Sequence, residues 1–181
     1  MRNLPFDRCY WVVPGKLLAG YYPGDPDHDG TVSKLGALLN TGIRTFIDLT
    51  EETEFNHWGI GLVPYESELK QVADDKAIPG VSYFRMPIPD LGVRTKEMMR
   101  EILDRIDREM ENNRPVYVHC LGGIGRTGTI VGCWLARHGV ASGEAVLDRI
   151  AELRCNDPSA EVPSPETRQQ RSFVRNWKAG E

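Results

Sequence analysis

Segment 116–128 holds the residues whose types and spacing best indicate chemistry. A short apolar run, typical of a buried strand, ends at His119 and is followed at once by Cys120 and a glycine-rich turn. Arg126 and Thr127 then stand where the next helix is predicted to begin. A thiol nucleophile, an anion-binding turn and a cation thus lie close together in the chain. This combination predicts a site that attacks the phosphorus atom of a phosphate ester.

The turn after Cys120 is predicted to bind the phosphate oxygens. It consists of Leu121, Gly122, Gly123, Ile124 and Gly125. Glycine permits positive φ and close approach of the backbone, so that successive N–H groups can converge on an anion. The apolar run 129–136 predicts a helix that ends near Gly139, and the N-terminus of such a helix favours a bound anion and a thiolate. The planar guanidinium of Arg126 can hold two phosphate oxygens, and Thr127 can donate a hydrogen bond to the sulfur when it leaves.

Two other phosphate-binding motifs fit the same segment less well. Residues 123–128 have the G-x-G-x-x-G spacing of dinucleotide-binding folds, but that motif requires a second strand with an acidic residue about 20 positions later. Here the pattern of residues 142–153 is helical. A Walker loop requires a lysine where this chain has Arg126. Both interpretations are therefore disfavoured.

The order His119-Cys120, five residues, Arg126-Thr127 resembles the signature loop of the cysteine-dependent protein tyrosine and dual-specificity phosphatases. The glycine pattern is most similar to that of the kinase-associated branch. The resemblance implies hydrolysis of a phosphomonoester through a cysteinyl phosphate, with Cys120 as nucleophile and Arg126 and the loop amides on the phosphate. It also implies that His119 orients the loop and that neither a metal nor a cofactor takes part.

A second loop offers an acid for the leaving oxygen. Residues 86–93 follow a strand-like run, and their prolines and glycine predict a loop. Asp90 precedes Cys120 by 30 residues, a spacing similar to that of the family's acid loop. With the resemblance, Asp90 is predicted to protonate the departing oxygen. Without it, Asp90 would be a turn or cap residue ahead of a helix at Thr95.

The C-terminal segment 164–174 predicts a helix with Ser164 as N-cap and Pro165 at its first position. It resembles the family's glutamine-bearing segment, in which Gln170 would position the hydrolytic water. The alternative places Gln170 on a solvated helix face. Tyrosine-specific members often carry a first glutamine where this chain has Glu166, which argues against that subclass.

Composition indicates an ordinary soluble globular chain. Of 181 residues, 40% are hydrophobic and 27% charged, and the net charge is −4, so no global charge attracts nucleic acid or an anionic membrane. No apolar stretch approaches the length of a membrane span, and the first seven residues do not resemble a signal peptide. His28, His57 and His138 lack metal-ligand spacing. The four cysteines show no C-x-x-C pair, which favours a reducing, cytoplasmic location.

Strands and helices alternate in the predicted elements. Strands are expected at 9–13, 17–19, 45–49, 81–86 and 116–119, and helices at 31–40, 95–110, 129–136 and 142–153. This alternation predicts an α/β fold: one domain, residues 1–181, with a central, mostly parallel twisted sheet flanked by helices. Cys120 then follows a central strand at its carboxyl end, where such folds bind ligands.

Residues 51–80 are left without a clear element, apart from a short helix predicted near 64–70. The acidic side chains of Glu51, Glu52 and Glu54 favour a solvated surface. The alternative is a lip beside the active site that recognises the substrate.

Three other functions stay open. The first is a lipid or inositol phosphate phosphatase, although the uncharged Leu121, Gly122 and Ile124 favour a less anionic substrate such as a phosphorylated protein or peptide. The second is a non-catalytic phosphoprotein-binding module. The third is a cysteine-based reductase, in which Cys9 or Cys155 would be the partner thiol of Cys120. Oligomeric state has no sequence signal.

Overall fold

A computed structural model describes residues 4–56 and 58–181. The elements in chain order are β1 (Cys9–Val13), β2 (Leu17–Gly20), α1 (His28–Asn40), β3 (Thr45–Asp48), α2 (Glu66–Asp75), β4 (Ser82–Arg85), α3 (Lys96–Glu111), β5 (Val116–His119), α4 (Gly125–Arg137), α5 (Glu144–Leu153) and α6 (Arg168–Arg175). His57 and residues 1–3 lie outside the described residues. Residues 1–3 belong to the first seven residues, which were predicted not to be a signal peptide.

The strands form one sheet in the order β1-β2-β5-β3-β4, in which only the β1–β2 pair is antiparallel. The predicted α/β fold with a mostly parallel sheet is confirmed. All four residues of the central strand β5 are buried, as expected for a strand covered on both faces. His119 pairs with Gly20 of β2 and with Asp48 of β3, so the carboxyl ends of three strands meet beside Cys120.

Helices cover both faces of the sheet. On one face α3, α4, α5 and α6 share a core that includes Met99, Ile102, Ile130, Val174 and Trp177. On the other face α1 and α2 pack over a smaller core of aromatic and aliphatic side chains, among them Phe46 and Tyr117. α4 contacts both α5 and α6, which follow it without an intervening strand. The loop after β5 therefore lies between two well-packed layers.

The start of the last helix differs from the prediction. α6 begins at Arg168, its N-cap is Thr167, and Ser164 and Pro165 precede it. Thr167 and Gln170 form a capping box, which satisfies two backbone N–H groups at once. The hydroxyl of Ser164 instead donates to the carbonyl of Ile124, 2.8 Å away. The prediction of Ser164 as N-cap is wrong because this tertiary hydrogen bond uses its side chain.

Candidate active site

The loop between β5 and α4 brings Cys120 to the N-terminal end of a helix. α4 begins at Gly125, so Arg126 and Thr127 lie in its first turn, where the helix was predicted to begin. Gly123 has φ +71°, and a Cβ there would lie 2.7 Å from the backbone of Gly20. Only glycine fits this position, because the loop passes directly against β2.

The predicted nucleophile and its hydroxyl donor are in contact. Cys120 is 2% exposed, and the hydroxyl of Thr127 lies 3.1 Å from its sulfur as a hydrogen-bond donor. The loop is fixed from outside by its carbonyls: that of Leu121 accepts from the N–H of Tyr22 and that of Gly122 from Arg8. The Cys120 sulfur is thus held in a loop whose shape is set by its neighbours.

The guanidinium of Arg126 is buried and bound on two sides by carboxylates. Nη1 and Nη2 donate to the two oxygens of Glu54 at 2.5 and 2.6 Å, and Nη2 also lies 3.1 Å from Oδ1 of Asp90. Burial opposes the charged form, yet the Glu54 hydrogen bonds and the nearby negative charges of Cys120 and Asp90 raise the pKa of Arg126. The Nε–H of Arg126 is also buried, and no acceptor among the described residues forms a hydrogen bond with it. That N–H is available to an oxyanion.

For Glu54 the prediction of a solvated acidic surface is wrong. Glu51 and Glu52 are exposed, as expected of a solvated surface, but the side chain of Glu54 is only 7% exposed because it pairs with Arg126. The backbone N–H of Glu51 also donates to Glu54 Oε2. No sequence pattern separates Glu54 from its two neighbours. The only available signal was that a buried arginine requires an acceptor.

The loop of Asp90 lies over the same end of the sheet. Its base is fixed by Ile88, which is buried and whose N–H donates to the carbonyl of Leu49. A turn follows, closed by the Gly92 N–H on the carbonyl of Pro89. The side chain of Asp90 is 60% exposed and lines the cavity that contains Cys120. The structure therefore brings together the predicted nucleophile and the predicted acid.

Gln170 lies behind the loop and is fully buried, so the solvated helix face expected as the alternative is wrong. Its Oε1 accepts the backbone N–H groups of Glu166 and Thr167, and its Nε2 donates to the carbonyl of Gly92, 3.0 Å away. The amide thereby ties α6 to the loop of Asp90. Glu166, and not Gln170, lines the cavity.

His119 is buried beneath the nucleophile. Its Nε2 lies 2.5 Å from the hydroxyl of Tyr65, and its Nδ1 lies 3.2 Å from the carbonyl of Cys120. Burial lowers the pKa of His119 and outweighs the opposing charge of Asp48, so the neutral ring is favoured. Tyr65, the N-cap of α2 in the short helix predicted near 64–70, thus fixes the ring directly under the loop.

These groups surround a cavity of about 370 Å³. Cys120 and Arg126 line it together with Tyr21, Tyr22, Trp58, Leu62, Asp90, Leu91, Leu121, Gly122, Ile124, Gly125 and Glu166. Gly123, Thr127 and His119 do not line the cavity. Thr127 and His119 contact Cys120, and Gly123 packs against Gly20. Among the described residues no group of three or more His, Cys, Asp or Glu side chains is arranged to hold a metal ion.

The other cysteines are not joined to Cys120. Cys9 and Cys133 are buried, Cys155 is exposed, and all four thiols are free. Burial raises the pKa of Cys9 to about 12, so it is a poor source of thiolate.

A family model described as "Polymorphic toxin system, DSP-PTPase phosphatase" matches residues 26–140, more than half of the chain. The chain belongs to this family. The predicted membership of the cysteine-dependent phosphatases is thereby confirmed. The matched range includes Glu54, Asp90 and the whole loop after β5, whereas α5 and α6 lie beyond it.

Curated relatives match part of the chain. An uncharacterized protein of Methanocaldococcus jannaschii, MJECL20, is 36% identical over 92 residues, which are 51% of this chain and 56% of the relative. The chain thus spans about half the length of the curated relatives that it first matches.

Solved structures show the same fold. Tk-PTP in its active form superposes with a TM-score of 0.69 at 22% identity, covering 96% of this chain and 97% of the other. PTPMT1 in complex with PI(5)P gives 0.67 at 20% identity and 94% of both chains. Kinase associated phosphatase gives 0.67 at 18% identity, covering 96% and 94%. Among the residues that the structure describes, no helix is long and apolar enough to cross a membrane.

Proposed function

We propose that this protein is a protein tyrosine or dual-specificity phosphatase that hydrolyses phosphomonoesters through a cysteinyl-phosphate intermediate. The observation that carries this proposal is that Cys120, Arg126 and Asp90 line one cavity at the carboxyl end of the central strand. They supply the nucleophile, the cation for the phosphate oxygens and the proton donor that covalent phosphoryl transfer requires.

In the first step the thiolate of Cys120 attacks phosphorus opposite the leaving oxygen. The S–P bond forms, the P–O bond to the leaving group breaks, and Asp90 transfers its proton to that oxygen. The amides of the loop and the unpaired Nε–H of Arg126 bind the remaining phosphate oxygens. Because Asp90 contacts Nη2 of Arg126 in this structure, substrate phosphate replaces that contact and leaves the carboxyl group beside the leaving oxygen.

In the second step water attacks the cysteinyl phosphate. Asp90, now ionised, accepts the proton of the water, the S–P bond breaks, and inorganic phosphate leaves. The hydroxyl of Thr127 donates to the sulfur and thus stabilises the departing thiolate. His119, held by Tyr65, supports the backbone of the nucleophile from below.

The contacts of Gln170 favour a positioning role, because the side chain does not line the cavity. Its amide bonds are directed at the backbones of Glu166, Thr167 and Gly92. We propose that it positions the loop of Asp90, in place of the water-positioning role inferred from resemblance. We propose one domain over residues 1–181, because Tyr22, before the matched range, and α6, after it, both contact the loops of the site.

The substrate we propose is a phosphorylated protein or peptide. Leu121, Gly122 and Ile124 bring no cation into the loop for additional phosphates. A lipid phosphate is the second candidate. The fold is as similar to PTPMT1, which was solved with PI(5)P, as it is to kinase associated phosphatase. The mechanism needs a reduced Cys120, which favours the cytoplasm.

Replacement of the nucleophile tests the proposal. Cys120→Ser should abolish turnover of phenyl phosphate yet still bind tungstate in calorimetry, because the loop and Arg126 remain. Cys155→Ser, which changes an exposed thiol away from the cavity, is the matched control and should keep full activity. Turnover by Cys120→Ser would refute the covalent mechanism. Faster release from inositol polyphosphates than from phosphotyrosine or phosphothreonine peptides would favour the second candidate.

A further inference from the structure

The segment between β3 and α2 contains a built hairpin at the mouth of the cavity. Residues 54–62, residue 57 apart, turn back through a bridge between Phe55 and Gly61 and a hydrogen bond from the N–H of Leu62 to the carbonyl of Glu54. At the tip the side chain of Asn56 accepts the backbone N–H groups of Trp58 and Ile60, each at 3.0 Å. We call these residues the Glu54 hairpin. Its shape is determined by its own hydrogen bonds.

The tip of the Glu54 hairpin presents large apolar side chains to solvent. Phe55, Trp58 and Ile60 are 62%, 74% and 54% exposed. Leu91, next to the predicted acid, is also exposed. A cluster of exposed apolar side chains beside a cavity marks a binding surface, whereas scattered single ones do not.

Part of this cluster is continuous with the candidate active site. Trp58 and Leu91 line the cavity that contains Cys120, but Phe55 and Ile60 do not. The base of the same hairpin carries Glu54, whose carboxylate holds Arg126. A group attached to the phosphate therefore lies in a cavity whose lining includes Trp58.

The charges around the hairpin favour a peptide over a membrane surface. Glu51 and Glu52 are exposed at its base. The charged residues that line the cavity are acidic in their majority, with Asp25, Asp90 and Glu166 against Arg8 and Arg126. Anionic lipid headgroups would be repelled here, since membrane-binding surfaces supply Lys and Arg at such positions. A peptide with an apolar side chain beside its phosphorylated residue meets no such repulsion.

We infer that the Glu54 hairpin determines substrate specificity: Trp58 binds an apolar side chain next to the phosphorylated residue of a peptide substrate. This inference rests on the proposed function and names the class of peptide on which the site acts. The contact adds apolar area to substrate binding without touching the reacting atoms. It is therefore expected to change the ratio between substrates and not the chemistry.

The inference is tested with pairs of phosphotyrosine peptides of equal length and charge. In one pair phenylalanine or serine precedes the phosphotyrosine, and in the other it follows. The wild type should prefer the phenylalanine peptide by about fivefold to tenfold in kcat/KM, as burial of part of two aromatic rings predicts. Trp58→Ala should bring this ratio close to one, and Trp58→Phe should restore most of it. Phe55→Ala is the matched control, an exposed aromatic of the same hairpin outside the cavity lining, and should keep the ratio.

The outcomes separate the inference from the proposed function. Equal turnover of both peptides by the wild type, or an unchanged ratio in Trp58→Ala, would overturn the inference while leaving the phosphatase in place. Loss of binding to phosphatidylglycerol vesicles in both Trp58→Ala and Phe55→Ala would overturn it in favour of a membrane-binding tip. A wild type that turns over neither peptide nor phenyl phosphate would refute the proposed function itself.

Discussion

Replacement of Glu54 by glutamine probes how the phosphate-binding arginine is held. Glu54 accepts from both terminal nitrogens of Arg126 at 2.5 and 2.6 Å, and both side chains are almost fully buried. Glutamine keeps the shape but removes the charge, and it turns an NH₂ group towards a guanidinium that can only donate. The arginine then loses its fixed orientation, and with it the direction of the free Nε–H.

The size of the effect follows from the remaining partners. Breaking a buried ion pair by changing one member costs about 3–5 kcal/mol. Asp90 and the carbonyls of Leu49 and Ile88 still accept from Arg126, at 3.1, 3.4 and 3.3 Å, so we expect the lower end, about 3 kcal/mol of unfolding free energy. Misorientation of the guanidinium should lower kcat/KM by about 10- to 100-fold, or roughly 1.4–2.7 kcal/mol.

The assay compares an aryl phosphate that has a good leaving group with an alkyl phosphate that has a poor one. Because Glu54 acts through phosphate binding, both kcat/KM values should fall by the same factor, and urea denaturation should show the lost stability. Glu52→Gln, an exposed acid two positions away, should change neither quantity. Wild-type kinetics and stability in Glu54→Gln would refute the role of the pair. A loss confined to the poor leaving group would instead place Glu54 in proton transfer.

Three further predictions concern the loop and its supports. Asp90→Asn should slow an alkyl phosphate about 100-fold more than a nitrophenyl phosphate, and an equal loss would remove Asp90 from the acid role. Gly123→Ala should cost about 3 kcal/mol or more in urea denaturation, because φ is +71° and the new Cβ would lie 2.7 Å from the Gly20 backbone; near-wild-type stability would contradict this packing. Burial lowers the pKa of His119 below the ordinary histidine value of about 6.5. Between the lowered pKa and pH 6.5 the unfolded chain therefore binds more protons than the folded one. Stability should therefore be fully present above about pH 6.5 and fall as the pH drops from there towards the folded pKa, whereas His119→Asn should lose that part of the slope; equal slopes would argue against a neutral buried ring.

The sheet and the phosphate-binding loop could be predicted from sequence because their signals are local. An apolar strand, a nucleophile, a glycine-rich turn and a helix follow one another between Val116 and Arg137. Asp90 needed the family resemblance in addition, since an aspartate in a proline-rich turn has a sufficient structural explanation by itself.

The partners of the loop could not be predicted, because they reach it through the fold. Glu54 meets Arg126 across 72 residues and Tyr65 meets His119 across 54, and no local pattern links either pair. Glu54 has the same residue type and surroundings as two exposed acids. Only tertiary packing distinguishes it.

The start of α4 also depends on tertiary packing. Gly125 and Gly128 lower the intrinsic helix propensity of its first turn, yet the helix begins at Gly125. A Cβ at Gly128 would collide with the hydroxyl of Ser164, and one at Gly125 would press on the Gln170 amide. Close packing of α4 against Ser164 excludes a Cβ at Gly128, and this packing outweighs local propensity.

The covalent intermediate on Cys120 is the central claim, and acid quench followed by intact-mass measurement tests it most directly. The Asp90→Asn variant, mixed with nitrophenyl phosphate, should form the intermediate and hydrolyse it slowly. The account predicts a mass increase of one phosphoryl group, mapped to the peptide that contains Cys120 and missing in Cys120→Ser. Continued turnover with no phosphoryl group on Cys120, or with one on another residue, would contradict it.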